Sequence, residues 1–330
     1  MQPSRTRSQA PVFVLGCVRS GTTLLYHMLL SAGNFAVYRT ESSVFNLLEP
    51  RFGDLSLETN KRKLLAAWCD SRLFALSGLD KQEITTKVMD QCRNGGDFLR
   101  IVMSQIAMKQ GVSRWADTTP EHILYLHRIK ETIPDALVIH IIRDGRDVAL
   151  SADKLGYIRR LPLDRKPSKM ASGLYWEWMV NKGRRDGHDL GADYTEVHFE
   201  ELVSQPTETL AKLSQFIEQD LNYDQIRRVG IGSVSAPNTS FKDGSPEDFN
   251  PVRRWERGYS AEELAMFEGL VGRTLEETGY TLAAKDRAAG NGTDLRLMRS
   301  IYHAYFDAKL YLKANTPLGK LLVTRDLSWV

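Results

Sequence analysis

Cysteine is scarce in this chain: three residues in 330, Cys17, Cys69 and Cys92. The number is odd and the spacing is that of no zinc or iron–sulfur site, which excludes a disulfide scaffold and leads us to expect no bound metal. Long apolar runs are also missing. None approaches the ~20 residues that span a bilayer, and the first ten residues lack the apolar core of a secretory signal. A cytoplasmic protein with no transmembrane segment is the expectation. An excess of one charge is absent too: 44 Lys and Arg against 41 Asp and Glu leave a net charge of +3. Nucleic acid is therefore not the expected partner, although a local basic pocket for a phosphorylated ligand is still allowed. Internal repeats are not found. The hydrophobic fraction, 42%, is that of an ordinary globular protein.

Strand-like and helix-like segments alternate along most of the chain. Residues 12–16 and 136–142 are continuous apolar runs bounded by turn residues, the mark of central strands buried on both faces. Residues 194–199 read as a further short strand. Helices are expected at 21–32, 60–77, 97–110, 121–133, 146–154, 170–184, 206–218 and 260–277, the last opened by a Ser260/Glu263 capping box. Residues 230–251 are rich in Gly, Ser, Pro, Asn and Asp, and loops of that length commonly close over ligands. The fold class expected is α/β: a three-layer P-loop-type fold with a central parallel sheet flanked by helices, its ligand at the carboxyl ends of the strands.

One more absence is chemical. Gly16, Gly21 and Thr23 have the spacing of the phosphate-binding loop G-x-x-x-x-G-K-[ST], but Thr22 stands where the lysine belongs. That lysine reaches the β- and γ-phosphates of a nucleoside triphosphate. Its loss, with a cation placed inside the loop at Arg19, points to a nucleotide that has no γ-phosphate and has its reactive group near Arg19. Backbone N–H groups at the helix start still suit an anion.

The run Arg19-Ser20-Gly21-Thr22-Thr23-Leu24 after an apolar strand resembles the 5′-phosphosulfate loop of sulfotransferases that use 3′-phosphoadenosine 5′-phosphosulfate (PAPS). Residues 136–151, a strand ending in Arg143 with Ser151 eight residues on, resemble that family's 3′-phosphate element. A third resemblance runs from Arg254-Trp255-Glu256-Arg257-Gly258-Tyr259-Ser260 to Gly279-Tyr280. The resemblance implies sulfuryl transfer from PAPS to a hydroxyl-bearing acceptor, with no metal. It implies that Arg19, Ser20, Gly21, Thr22 and Thr23 hold the 5′-phosphosulfate, and that Arg143 and Ser151 hold the 3′-phosphate. Ser240, Lys242, Arg253 and Arg254 would close over the nucleotide, with Trp255 either stacked on adenine or buried in the core. Arg19 is the catalytic cation. Glu41, in Arg39-Thr40-Glu41-Ser42-Ser43, stands near the position of the catalytic glutamate of tyrosylprotein sulfotransferases and is the first candidate for general base; a helix-start carboxylate before residues 43–49 is its plain reading. His122, beside Asp117-Thr118-Thr119-Pro120, is the rival base, as in the cytosolic small-molecule branch.

Two departures bear on the acceptor. No lysine precedes Pro120, so a second cation must come from elsewhere, with Lys242 or Arg253 as candidates. The family's Tyr-Glu-Asp-Leu is Phe199-Glu200-Glu201-Leu202 here. Peptide tyrosine, carbohydrate and small metabolite remain open as acceptors. The competing functions are a nucleotide kinase or NTPase, which the missing lysine opposes, and a non-catalytic nucleotide-binding relative. Some relatives are anchored in the Golgi, which makes the Golgi lumen the alternative location. The expected organisation is a flexible tail over residues 1–10, a transferase domain over 11–282, and a linker with a C-terminal helical extension over 283–330. In that extension Leu295, Met298, Ile301, Tyr302, Tyr305, Phe306 and Leu310 share one helical face, which packs back on the domain or on the second subunit of a homodimer, with a membrane-surface helix flanked by Lys309, Lys313 and Lys320 as the alternative.

Overall fold

Four parallel strands, β1 (Val12–Leu15), β2 (Ala116–Asp117), β3 (Leu137–Ile142) and β4 (Tyr194–His198), form a sheet of order β2-β1-β3-β4 in a computed structural model. The structure describes residues 6–162, 164–239, 250–284, 293–316 and 318–319. β1 and β3 are buried throughout, and their side chains alternate between two apolar layers. Phe13, Leu15, Val138 and Ile142 feed one layer; Val12, Val14, Leu137, Ile139 and Ile141 feed the other. This is the period-2 geometry of a strand covered on both faces. Leu25, Leu29, Leu210, Leu213 and Ile226 cover one face, from the helices Thr22–Ser31, Pro206–Ile217 and Tyr223–Val229. The helices Gly95–Lys109, Ser168–His188, Ala261–Glu277 and Thr293–Asn315 supply the other layer.

The order of the strands positions the site. From β1 the chain crosses to β2 on one side, and from β3 it crosses to β4 on the other. The loops leaving β1 and β3 therefore diverge, which opens a crevice at the carboxyl ends of those two neighbours.

Several local expectations change. Residues 60–77 form two helices, Glu58–Cys69 and Arg72–Ser77, because Ser71 caps the second by accepting from the Phe74 N–H. The helix Lys81–Gln91 and the two-residue strand β2 are additional. Residues 121–133 divide into a 3₁₀ segment Pro120–Tyr125 and the helix Leu126–Thr132. Residues 6–10 are not a loose tail: a turn at Arg7–Gln9 leads to a buried Ala10, and the buried Arg114 guanidinium donates to the Arg7 and Ala10 carbonyls at 2.8 and 2.7 Å. The terminal helix joins the main core through Leu295, Met298, Tyr302 and Phe306, while Ile301 and Tyr305 stay exposed. Among the described residues no helix is long and apolar enough to cross a membrane. The capping box at Ser260 and Glu263 is present.

Candidate active site

The loop after β1 is shaped by two glycines. A Cβ at Gly16 would collide with the Ile141 carbonyl oxygen of β3, and one at Gly21 with the Phe199 ring. Gly21 also sits at φ 99°, where side chains are strained, and Arg19 adopts φ 71°. The loop thus lies tight on the sheet and enters the helix Thr22–Ser31 with no side-chain cap, leaving its first N–H groups to face the crevice.

Arg19 and Arg143 converge there. The Arg143 guanidinium donates to the Arg19 carbonyl at 3.0 Å and to the Pro251 carbonyl, and lies 4.4 Å from the Phe199 ring centroid. Its ion pair with Asp147 is long, 3.8 Å, while Asp144 pairs with Arg146 instead, at 2.8 Å. Arg19 Nε–H donates to Ser151 Oγ at 2.9 Å. The two elements read from sequence as holding opposite ends of one nucleotide are therefore in direct contact. Burial draws both guanidinium pKa values down; Asp147, Glu200 and Asp144 offset this in part at Arg143. An anion between the two arginines relieves the cost of burying them. Two polar atoms fit such an occupant: Arg143 Nε and Ser20 Oγ are buried with no hydrogen-bond partner among the described residues. A phosphorylated donor that accepts from both matches this donor set.

Arg19, Arg143 and Ser151 border a cleft of about 360 Å³; Ser20, just after Arg19 in the loop, does not line it. Gly21, Thr22 and Thr23 form its floor, and Leu24, Met28, Phe199 and Leu202 give an apolar side suited to a purine. Ser233, Val234, Pro237, Asn238, Thr239 and Pro251, from either end of the expected lid, form the opposite wall. Arg254 also lines the cleft, held by the Asn250 carbonyl at 2.7 Å and by Thr239 Oγ1 at 3.2 Å. Arg253 does not: its side chain is exposed and its backbone N–H is bound by Asp147. Ser240 and Lys242 lie outside the described residues. Trp255 is buried against Arg146, whose guanidinium is 3.8 Å from the ring centroid, and is absent from the cleft. Two cleft residues, Tyr223 and Arg227, have no counterpart in the sequence motifs.

Asp147, on the helix Gly145–Lys154, ties that helix to the segment 253–255. It accepts from the Arg253 N–H at 2.9 Å and the Trp255 N–H at 2.8 Å, and burial, opposed by Arg143, pushes its carboxyl up to about 6.

The two candidate bases sit in different settings. His122 is fully buried; its Nδ1 faces Asp117 Oδ2 at 2.9 Å and its Nε2 accepts from the Phe45 N–H at 3.2 Å. Both ring nitrogens are occupied. Burial pushes the Asp117 carboxyl up, but His122, Ser42 and the Thr119 N–H more than reverse this and hold it low. Thr119 Oγ1 in turn accepts from the Ser43 N–H at 3.1 Å. Glu41 is half-buried and stands just ahead of this anchored pair, with Ser43 at φ 51° opening a π-helical turn over Val44–Leu48 rather than an ordinary helix. The three cysteines are buried thiols, and among the described residues no group of three or more His, Cys, Asp or Glu side chains is placed to hold a metal ion.

A family model described as "Sulfotransferase family" matches residues 11–223, well over half of the chain. No curated protein matches the sequence. Among solved structures, a sulfotransferase domain from the curacin biosynthetic pathway superposes with a TM-score of 0.54 at 16% identity, over 83% of this chain and 99% of that one, a likeness of fold. A sulfotransferase domain from the olefin synthase of Synechococcus PCC 7002 gives 0.46 at 17% identity, over 93% and 98%. Retinol dehydratase, in a complex with retinol and PAP, gives 0.43 at 16% identity, over 84% of each chain.

Proposed function

This chain belongs to the sulfotransferase family, and we propose that it transfers a sulfuryl group from PAPS to a hydroxyl acceptor by in-line displacement. The observation that carries the reading is the meeting of Arg19 and Arg143 over the β1–β3 crevice, with Arg143 Nε and Ser20 Oγ buried and without a hydrogen-bond partner among the described residues. PAPS has two anionic ends, and the loop after β1 and the element after β3 offer two sets of donors.

In the proposed reaction Glu41 takes the acceptor's proton as its oxygen attacks sulfur. A new S–O bond forms, the bond between sulfur and the bridging phosphate oxygen breaks, and its electron pair leaves on the 5′-phosphate of PAP. Charge grows on that bridging oxygen, and Arg19 is the cation assigned to it. Ser20, Gly21, Thr22 and Thr23 hold the 5′-phosphate; Arg143 and Ser151 hold the 3′-phosphate; Arg254 closes the cleft. The Asp117–His122 pair, with Thr119, fixes the backbone that carries Glu41. We treat residues 11–282 as the transferase unit and the helix beyond as an extension that completes it.

Labelled sulfate transfer from PAPS to pooled phenols, sugars and tyrosyl peptides, run beside calorimetry with PAP and ATP, tests this. Transfer together with tight PAP binding is expected. Tight ATP binding without PAP binding would make the protein an NTPase-like relative instead.

A further inference from the structure

A second cavity, about 370 Å³, opens where the terminal helix crosses the body of the protein. Its walls are aromatic: Tyr125, Tyr157, Tyr175, Trp178, Tyr305 and Phe306. That volume suits a small organic ligand, and ring faces suit a flat or aliphatic body. Its rim is basic. Arg159, Lys309 and Lys313 stand against the single carboxylate of Glu121, which Lys313 reaches at 3.4 Å. One group inside the cavity lacks a partner: the buried Tyr125 hydroxyl makes no hydrogen bond among the described residues.

This cavity approaches the donor cleft at Arg19. Arg19 lines the cleft and bonds Ser151, on the helix Gly145–Lys154. That helix runs on to Tyr157, whose N–H donates to the Ala152 carbonyl at 3.1 Å. Ser151 thus lines the cleft and Tyr157 the cavity, on one continuous segment.

We infer that this cavity is the acceptor site, and that it selects a hydroxyl compound with an apolar or aromatic body and an anionic group, the body held among the rings and the anion at Lys309 and Arg159. The inference rests on the sulfuryl-transfer reading and deepens it, since it assigns the terminal helix, which lies beyond residues 11–223, a share in substrate choice.

The experiment measures binding and transfer separately on the full chain saturated with PAP or PAPS. The probes are 4-(4-hydroxyphenyl)butyrate and the uncharged 4-butylphenol. Calorimetry is expected to show both binding, the carboxylate roughly tenfold tighter, as one charge-assisted contact allows. Lys309→Gln with Arg159→Gln is expected to erase that preference while leaving 4-butylphenol and PAP affinity within twofold. Tyr305→Ala is expected to weaken both probes about equally. Equal binding of the two probes, no binding of either, or a preference that survives the double substitution would overturn the inference. Selective binding without transfer to either probe would leave the cavity assigned and count against sulfuryl transfer. Transfer to other acceptors at an unchanged KM in the double variant and in Tyr305→Ala would keep the reaction and reject the cavity.

Discussion

Arg19 Nε–H donates to Ser151 Oγ at 2.9 Å, joining the phosphate loop after β1 to the helix that follows β3. In the proposed complex Arg19 serves the bridging oxygen and Ser151 the 3′-phosphate, so binding of the donor exchanges this bond for two bonds to the nucleotide. Ser151→Ala is expected to weaken PAP several-fold and to leave AMP unchanged, because AMP has no 3′-phosphate. Calorimetry with the two nucleotides checks this; equal losses for both would remove Ser151 from the 3′-phosphate.

Arg143 makes the stronger version of the same test. PAP is expected to bind the wild type at least 30-fold more tightly than AMP, since a charge-assisted hydrogen bond is worth roughly 2 kcal/mol. Arg143→Ala should reduce that ratio to the several-fold preference that Ser151 still supplies. The residue also ties the Arg19 and Pro251 carbonyls together, so the ratio, and not PAP affinity alone, is the informative readout.

Arg19→Ala separates chemistry from binding. Loss of a group that acts on charge developed in the transition state costs about 3 kcal/mol, or roughly 10²–10³ in kcat. PAP affinity should change far less. Unchanged turnover would discard the catalytic role.

Glu41→Gln should abolish most transfer and remove the acidic limb of the pH–rate profile, since a carboxamide does not titrate. His122→Gln should behave differently. It leaves the Asp117 carboxylate and the Phe45 N–H without their buried partner, which costs about 1–3 kcal/mol of stability. Its residual activity should keep the wild-type pH limb. Robust transfer by Glu41→Gln would reject the assignment.

His140 sets an acid response of its own. It is fully buried on β3, its Nδ1 lies 2.7 Å from the Tyr194 hydroxyl, and burial lowers its pKa from 6.5 to about 4. The unfolded chain takes up this proton first, so the stability His140 supports is complete above pH 6.5 and drains away as pH falls toward 4. Asp147, held near 6, works in the opposite direction over much of that range. The useful quantity is therefore the stability difference between wild type and His140→Gln. It should shrink by about 3 kcal/mol between neutral pH and pH 4 in urea titrations. Parallel curves for the two proteins would sink the idea.

The meeting of Arg19, Arg143 and Ser151, to which the donor is assigned by proposal, was legible because local sequence builds it. Gly16, Arg19 and Gly21 share one loop, and Arg143 and Ser151 lie eight residues apart on one strand–helix unit. Tyr223 and Arg227 were not legible, because tertiary packing alone brings their helix to the cleft. His122 read as a rival to Glu41 because sequence alone does not show its contacts; only the folded chain shows both of its nitrogens engaged. The helix Lys81–Gln91 escaped because just Ile84 and Val88 are buried, too few for a visible periodicity. β2 escaped because two residues owe their strand state to pairing with β1, not to their own pattern.

The diverging exits of β1 and β3 have a further effect. The groups assigned to the donor hang from the ends of adjacent, wholly buried strands, where almost any change disturbs the core. Tyr305, Lys309 and Lys313 hang from the far end of the chain, on a helix fastened through Tyr302, Phe306 and the Arg299–Glu177 ion pair. Mutation can reshape that outer wall freely while the strand ends remain under constraint. Under the proposed assignments, the acceptor wall can thus vary while the donor site stays fixed.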